Sequence, residues 1–182
     1  HSFPTRRSSD LDAVRYFLLR EVPFGLDGDF SHSAMIHRIN SDLANDLGNL
    51  LNRSTAMLNK YFDGIVQEPA EFTETDLEYR RKTEALEGSL DICLEDLAFS
   101  KALQVIWEVI SAGNKYIDET APWTLAKVPE KRGQLATVMY CILESQRVVF
   151  HLLSPFMPET ARKGLAYLGW DKPITEDGIR WG

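Results

Sequence analysis

Residues 31–64 read SHSAMIHRINSDLANDLGNLLNRSTAMLNKYFDG, and this stretch decides the fold class of the chain. Apolar side chains recur in it every three or four residues, which is typical of one face of an α-helix. A hydroxyl at Ser31 or Ser33 can cap the first turn, and Gly64 supplies a left-handed stop. The stretch predicts one helix of about 30 residues, near 45 Å long at about 1.5 Å per residue. Its apolar stripe comprises Ile36, Ile39, Leu43, Leu47, Leu50, Leu51, Leu58 and Tyr61.

The same helical spacing recurs in the rest of the chain. No segment alternates apolar and polar residues with a period of two over a convincing length, so the sequence predicts no strand. The pattern predicts an all-α protein, a helical bundle of about five helices. Besides the long helix, we expect helices at about 73–97, opened by Thr73 or Thr75 with Asp76, at 100–122, capped by Ser100 and ended by Pro122, at 132–153 and at 158–169. A further helix is expected at 12–21, before a break at Pro23, Gly25 and Gly28.

Composition and charge exclude several classes of protein. The chain has 182 residues, with 20 Lys and Arg against 27 Asp and Glu and a net charge of −7. A broad basic surface is therefore not expected, and any nucleic-acid site must be local. No segment reaches the roughly 18 apolar residues that a membrane span needs. Cys93 and Cys141 lie 48 residues apart, outside any metal-binding spacing, which indicates reduced thiols in a cytoplasmic protein.

Both ends of the chain lack the features of a natural terminus. Residues 1–11 match, codon by codon, the translation of a widely used sequencing-adapter oligonucleotide, and we interpret them as an artefact rather than native protein. The alternative is a disordered basic N-terminus or a targeting segment without an apolar core. Without these residues the chain carries 18 basic and 26 acidic side chains. The C-terminus stops at Trp181 and Gly182 without a terminator pattern, so we expect a fragment.

The sequence contains none of the common catalytic motifs. GxSxG, a Gly-rich phosphate loop and HExxH are all absent. His32 and His37 are five residues apart, which on a helix turns them away from each other and argues against a shared metal ion. No catalytic, cofactor-binding or metal-binding residue is therefore expected in this chain.

Asn45, Asn49 and Arg53 recur every four residues along the long helix. At about 100° per residue, this row is centred roughly 130° from the middle of the apolar stripe. An amide offers a donor and an acceptor together, and a guanidinium offers a planar fork, so such a row can read base edges. The alternative is an ordinary hydrated helix face.

Trp123 follows Pro122, which stops the predicted third helix. An indole at the end of a bundle is well placed to stack on a base, an interaction worth about 1–3 kcal/mol. The alternative is a tryptophan that simply covers the end of the core. Trp107 falls within the apolar pattern of the third helix and is expected in the core.

Several stretches of the sequence, in this order and spacing, resemble the methionyl-tRNA synthetase family, particularly its bacterial type. The resemblance covers residues 12–182 and concerns the C-terminal part of the family. The stretches are DAVRY at 12–16, REVPFG at 20–25, NSDLANDLGNLLNR at 40–53, NKYFDG at 59–64, NKYIDETAPW at 114–123 and SPFMP at 154–158.

The resemblance implies a domain organisation and a site. Residues 32–182 would form the anticodon-binding bundle, truncated at its C-terminus, and residues 12–31 the tail of the segment that links it to the catalytic domain. In this family the anticodon is CAU, and its first base is read by a stacked tryptophan with an asparagine and an arginine of the long helix. The matching residues here are Trp123, Asn49 and Arg53, while Asn45, Asp118 and Pro122 match positions that shape the pocket or contact neighbouring bases.

The resemblance also implies the chemistry of a parent enzyme. That enzyme would ligate methionine to tRNA(Met) with ATP and Mg²⁺, with zinc as a further candidate cofactor, through catalytic motifs that this chain lacks. The chain alone would be inactive and would hold no cofactor. Its expected partners are the anticodon loop of tRNA(Met) and its own catalytic domain, with no membrane. Because the chain is acidic, the missing body is expected to hold the tRNA stem while this domain discriminates.

Two alternative functions remain open at this point. One is the anticodon domain of another class I synthetase, for valine, isoleucine, leucine or cysteine. The other is a non-enzymatic helical adaptor, which predicts a contiguous exposed apolar patch instead of a polar row beside an exposed tryptophan.

Overall fold

Helices make up the regular structure of the chain. The computed structural model describes residues 8–22, 25 and 30–182. No strand occurs among these residues, which confirms the all-α prediction. The elements are α1 (Ser8–Glu21), α2 (His32–Arg38), a π-helical segment (Ile39–Gly48), α3 (Asn49–Phe62), α4 (Glu74–Glu84), α5 (Leu86–Glu95), α6 (Phe99–Thr120), α7 (Pro122–Leu125), a 3₁₀ turn (Pro129–Lys131), α8 (Arg132–Leu153), α9 (Pro158–Tyr167) and a second 3₁₀ turn (Glu176–Ile179).

The predicted long helix is one continuous rod with a π-helical middle. The Ser31 hydroxyl caps it, as expected, by accepting a hydrogen bond from the Ala34 N–H at 3.4 Å. The π-helical segment departs from the uniform α-helix that we expected, because its hydrogen bonds span five residues and widen each turn. Asp63 ends the rod in the left-handed region (φ 52°) and Gly64 follows it there (φ 79°). The left-handed stop therefore begins one residue before the predicted glycine.

The apolar stripe of the long helix is buried mainly in its second half. Leu50 and Leu58 are buried, whereas Ile36, near the start, is 47% exposed. Ser54 and Phe62, which the predicted stripe did not include, are also buried. The Ser54 hydroxyl accepts a hydrogen bond from Gln146 of α8 at 2.8 Å, so this half of the rod lies against α8.

Several predicted helix boundaries differ from the observed ones; the helix expected at 12–21, for example, begins at Ser8. The helix expected at 73–97 divides at Ala85 into α4 and α5, although the predicted cap is present: Thr73 and Asp76 form a reciprocal capping box. α6 begins at Phe99, so Ser100 lies inside it and does not cap it. The Ser100 hydroxyl instead donates to the Arg20 carbonyl of α1 at 2.7 Å. α8 and the start of α9 lie where the sequence predicted them.

The core is built around α8, whose side chains are buried on every side of the helix. All but two of its residues from Leu135 to Leu153 are buried, including polar ones such as Thr137 and Ser145. Thr137 satisfies its hydroxyl by accepting from the Ala70 N–H at 2.9 Å, and Ser145 shares a hydrogen bond with Thr83 at 2.8 Å. The central helix therefore has packing partners all around it, from α3, α4, α6 and α9.

α1 is anchored to the bundle through polar contacts at both ends. The Asp12 carboxylate accepts a hydrogen bond from the Thr160 N–H of α9 at 2.7 Å. α1 ends at Glu21, and Pro23 and Gly28, which were predicted to break it, lie outside the described residues. Its outer side carries three exposed apolar side chains, Leu11, Val14 and Leu18.

A pair of stacked tyrosines joins α4 to α6. The rings of Tyr79 and Tyr116 lie 4.7 Å apart, centroid to centroid, and the Tyr116 hydroxyl donates to the buried Asp76 carboxylate. Burial raises the pKa of both tyrosine hydroxyls above their ordinary value, so both stay protonated. Gly113 makes room for this pair, since a Cβ atom on it would lie 2.5 Å from the Tyr79 hydroxyl oxygen.

Two further expectations from the sequence concern the cysteines and a membrane span. Cys93 and Cys141 are buried and unpaired, as expected, and burial raises the pKa of the Cys141 thiol to about 12. None of the helices in the described part of the chain is long and apolar enough to cross a membrane.

We expect Gly113→Ala to destabilise the fold by about 1–3 kcal/mol, because the added methyl group overpacks the tyrosine pair. Urea unfolding followed by circular dichroism measures the change. Gly88→Ala is the matched control, since a Cβ atom on Gly88 of α5 meets nothing within 4 Å; we expect it to leave stability unchanged or raise it by up to about 1 kcal/mol. Equal unfolding midpoints for the two variants would contradict the close packing.

We also expect stability to fall on mild acidification because of His151. Burial lowers the pKa of this imidazole; its Nδ1 lies 2.8 Å from the Arg147 carbonyl oxygen, while its Nε2 is buried without a described partner. The unfolded state therefore binds a proton more readily than the folded state. The contribution is fully present above the unfolded pKa of about 6.5 and is lost as the pH falls below it. The urea midpoint of the wild type should drop between pH 7.5 and 5.5, and the midpoint of His151→Gln should drop less. Equal drops in the two proteins would show that His151 does not cause the pH dependence.

Candidate nucleic-acid interface

The predicted polar row on the long helix is exposed to solvent. Asn45 lies in the π-helical segment and Asn49 begins α3, and both side chains are exposed. Arg53 is partly exposed one turn further on, with 29% of its side chain accessible. A four-residue step is close to one turn in both α- and π-helical geometry, so the row continues across the change of helix type. The amides and the guanidinium are therefore accessible along one side of the rod.

An ion pair joins this row to the end of α6. The Arg53 Nη2 lies 2.6 Å from the Asp118 Oδ1, although 65 residues separate the two in sequence. Asp118 itself is exposed, so the pair faces solvent rather than the core. This is the one hydrogen bond described for the Arg53 side chain, which leaves the rest of its fork available to a ligand.

Trp123 lies just beyond the same end of α6. Ala121 takes a left-handed conformation (φ 43°) that ends α6, and Pro122 occupies the first position of α7. Pro122 is buried, whereas Trp123 is 42% exposed. The proline therefore anchors the turn while the indole stays accessible, as the sequence predicted for a stacking residue.

Four of the six predicted site residues gather at one end of the bundle. Arg53 contacts Asp118 directly, and Pro122 and Trp123 follow Asp118 within the next five residues. Asn45 lies eight residues before Arg53, about 12 Å away along the helix axis. Asn49 occupies the turn between them. The predicted residues thus form a strip with the tryptophan at one end.

Two side chains of α6 hold the π-helical segment in place, and no sequence pattern marks either of them as part of the site. The Trp107 Nε1 donates to the Asp42 carbonyl at 3.3 Å, and the Asn114 Nδ2 donates to the Asp46 carbonyl at 3.2 Å. These bonds bracket Asn45. No spacing rule in the sequence pairs them, since more than 60 residues separate the partners.

The carboxylates beside the π-helical segment lie in a partly desolvated environment. The Tyr16 hydroxyl donates to the Asp42 carboxylate at 2.5 Å. Burial, reinforced by the Asp42 carboxylate, raises the pKa of Tyr16 above its ordinary value. Partial burial, with the charge of Asp42, raises the pKa of Asp46 as well. No group of three His, Cys, Asp or Glu side chains that could hold a metal ion occurs within the described ranges.

Two family models match the chain. Residues 66–177 match the anticodon binding domain of methionyl tRNA ligase, which is more than half of the chain. Residues 4–55 match the class I tRNA synthetases of the methionyl type.

Individual relatives agree with the family models. The methionine–tRNA ligase of Caldanaerobacter subterraneus subsp. tengcongensis is 52% identical over 94% of this chain and 26% of its own length. That of Bacillus subtilis is 48% identical over 93% of this chain and 25% of its own length. The chain thus spans about a quarter of the length of these curated relatives.

Solved structures of methionyl-tRNA synthetases share the fold of this chain. The apo form of Mycobacterium tuberculosis methionyl-tRNA synthetase superposes with a TM-score of 0.90 at 38% identity, covering 94% of this chain and 35% of that one. The same enzyme bound by methionyl-adenylate superposes with a TM-score of 0.89 at 39% identity, over 93% and 34% of the two chains. From these matches and the helical architecture, the chain belongs to the methionyl-tRNA ligase family and carries its anticodon-binding domain.

Proposed function

We propose that this chain reads the CAU anticodon of tRNA(Met) for a methionine–tRNA ligase. The observation that carries the proposal is the ion pair between Arg53 and Asp118, at 2.6 Å. It joins the amide and guanidinium row of the long helix to the helix end that presents Trp123. A stacking ring beside planar hydrogen-bonding groups is the arrangement by which proteins read unstacked bases of single-stranded RNA loops.

Each residue of the site has a distinct role in this proposal. Trp123 stacks on the first anticodon base, while Arg53 and Asn49 hydrogen-bond to its edge. Cytosine presents an amino donor and ring acceptors, which suit an asparagine carbonyl and the donors of an arginine fork.

The three remaining residues support this reading. Asp118 orients the Arg53 fork, and Pro122 fixes the backbone that carries the indole. Asn45, two turns from Arg53, contacts a neighbouring base.

Catalysis belongs to parts of the enzyme outside this chain. The proposed reaction joins methionine to tRNA(Met) at the expense of ATP, with Mg²⁺ and with zinc as a further candidate, in a catalytic domain that would contact this one. We propose the cytoplasm as the place of this reaction. We also propose that the bundle proper begins near residue 32, that residues 12–31 are the linking tail, and that residues 1–11 are not native. The adenylate-bound relative supports the ATP-dependent route by analogy.

We expect Trp123→Ala to remove discrimination between RNA hairpins that carry CAU and GAU. The stack is worth about 1–3 kcal/mol, or roughly 5- to 150-fold in affinity. Without it the first base is no longer held against Arg53 and Asn49, which carry the discrimination. Fluorescence titration at one fixed low salt concentration measures both affinities. Tyr167→Ala is the matched control, because Tyr167 is another exposed aromatic side chain, on α9. Helicity by circular dichroism should survive both substitutions.

Equal affinity of the wild-type chain for the two hairpins would mean that the isolated chain makes only phosphate contacts. The comparison then moves to charging of CAU and GAU transcripts by the full-length enzyme. Equal charging of the two transcripts there would remove the proposed function.

We expect Arg53→Lys to lose selectivity while it keeps the salt dependence of binding. Lysine retains the charge but lacks the planar fork, so about 1–3 kcal/mol of discrimination should disappear. The same hairpin titrations, repeated at several salt concentrations, separate the two effects. Arg81→Lys on α4 is the control, since Arg81 is also an exposed, ion-paired arginine. Full selectivity in Arg53→Lys would show that residue 53 supplies only charge.

A further inference from the structure

Ion pairs engage most of the cationic side chains in the described part of the chain, but several at one end of the bundle have no carboxylate within 4 Å. Among the described residues, all lysines and arginines except seven lie within 4 Å of a carboxylate. The seven without such a partner are Arg20, Lys60, Lys101, Lys127, Lys131, Arg132 and Lys172. Four of these lie where α3 ends and where α7 leads into α8, which is the end that carries Trp123.

Lys60 lies on the same side of α3 as the proposed base-reading row. It follows Arg53 by seven residues, which turns it by only about 20° and advances it by about 10 Å along the axis. Its side chain is exposed. An RNA strand read at Arg53 and continuing along this face would therefore pass Lys60.

Lys131 and Arg132 lie on the other side of the same end. Arg132 places its guanidinium 4.8 Å from the centre of the Phe62 ring, so the start of α8 sits against the last turn of α3. Both side chains are exposed, and they follow Trp123 by eight and nine residues. Asp63 and Glu130, the acids next to them in sequence, form no ion pair with them within the described structure. Their charges are therefore free to meet an external anion.

This distribution of unpaired cations explains how a chain with a negative net charge could bind RNA. A chain with a net charge of −7 repels a polyanion as a whole. Cations that are already paired with carboxylates contribute little to phosphate binding, whereas unpaired cations release counterions from the nucleic acid. An acidic domain can thus bind RNA at the end where its positive charges are unpaired.

We propose that Lys60, Lys131 and Arg132 form a phosphate-binding surface that holds the RNA backbone on either side of the bases read at Asn49, Arg53 and Trp123. The surface rests on the proposed function for its ligand, a single-stranded RNA loop, but it acts on the backbone and not on base identity. Its signature is salt dependence without sequence selectivity.

The test measures hairpin affinity against salt concentration for the wild-type chain and for Lys131→Gln/Arg132→Gln. Each lost phosphate contact should make the slope of log K against log salt less steep by about 0.7–0.9. Between 50 and 200 mM salt, the fold-loss of affinity should therefore be roughly 7 to 12 times smaller for the double variant than for the wild type. The affinity ratio of the CAU and GAU hairpins should stay unchanged.

Two controls separate this surface from general charge effects. Lys101→Gln/Lys172→Gln removes the same charge from two unpaired cations outside this surface, Lys101 in the first turn of α6 and Lys172 in the segment that follows α9. Its salt slope should match that of the wild type. Arg132→Lys keeps the charge, so it should keep the wild-type slope. If Lys131→Gln/Arg132→Gln loses helicity, Lys60→Gln gives the same test with one contact fewer.

Three results would overturn the proposed surface. The salt slope could be unchanged in Lys131→Gln/Arg132→Gln, or it could become less steep by the same amount in the control pair. The third is that the wild type shows no measurable binding at low salt. A wild-type chain that binds CAU and GAU hairpins equally, yet shows the reduced slope in the double variant, would support the surface and count against anticodon reading. The two proposals therefore fail by different measurements.

Discussion

Three side chains of α6 set its register against the long helix, and the candidate site depends on that register. Trp107 and Asn114 donate to carbonyls at Asp42 and Asp46, and Asp118 pairs with Arg53. The residue numbers of the paired side chains rise together along both helices, so the two helices run parallel. Because the first two bonds engage the π-helical segment, they hold the widened turns that carry Asn45. The third brings the guanidinium to the helix end that presents the tryptophan.

The sequence predicted the helices well where a local signal marks their ends. Ser31 caps the long helix, and Thr73 with Asp76 caps α4, because side-chain oxygens satisfy the free N–H groups of a first turn. The Ser100 cap was wrong because α6 begins one residue earlier, at Phe99, so Ser100 lies inside the helix and donates its hydroxyl to the Arg20 carbonyl of α1. The π-helical geometry also escaped prediction. Spacings of three and four residues fit both helix types, and tertiary hydrogen bonds from α6 hold the wider form.

The candidate site was predictable in its residue types but not in its assembly. Spacing placed Asn45, Asn49 and Arg53 on a polar face, and the structure exposes both asparagines and part of the arginine. The contact between Arg53 and Asp118 spans 65 residues, and no pattern in a single sequence encodes such a pairing. The unpaired cations were equally hidden, because pairing depends on which carboxylate the fold brings near. The roles of these residues in reading an anticodon stay predictions.

The burial of α8 on every side has a consequence for how the chain folds during synthesis. A ribosome releases α3, α4 and α6 before it makes α8, so the faces of these helices that will cover α8 wait without their partner. Contacts this distant in sequence form late, and apolar faces that wait for a partner are prone to association. The core cannot form until residue 153 has emerged from the ribosome. Folding of the bundle therefore waits for the second half of the chain.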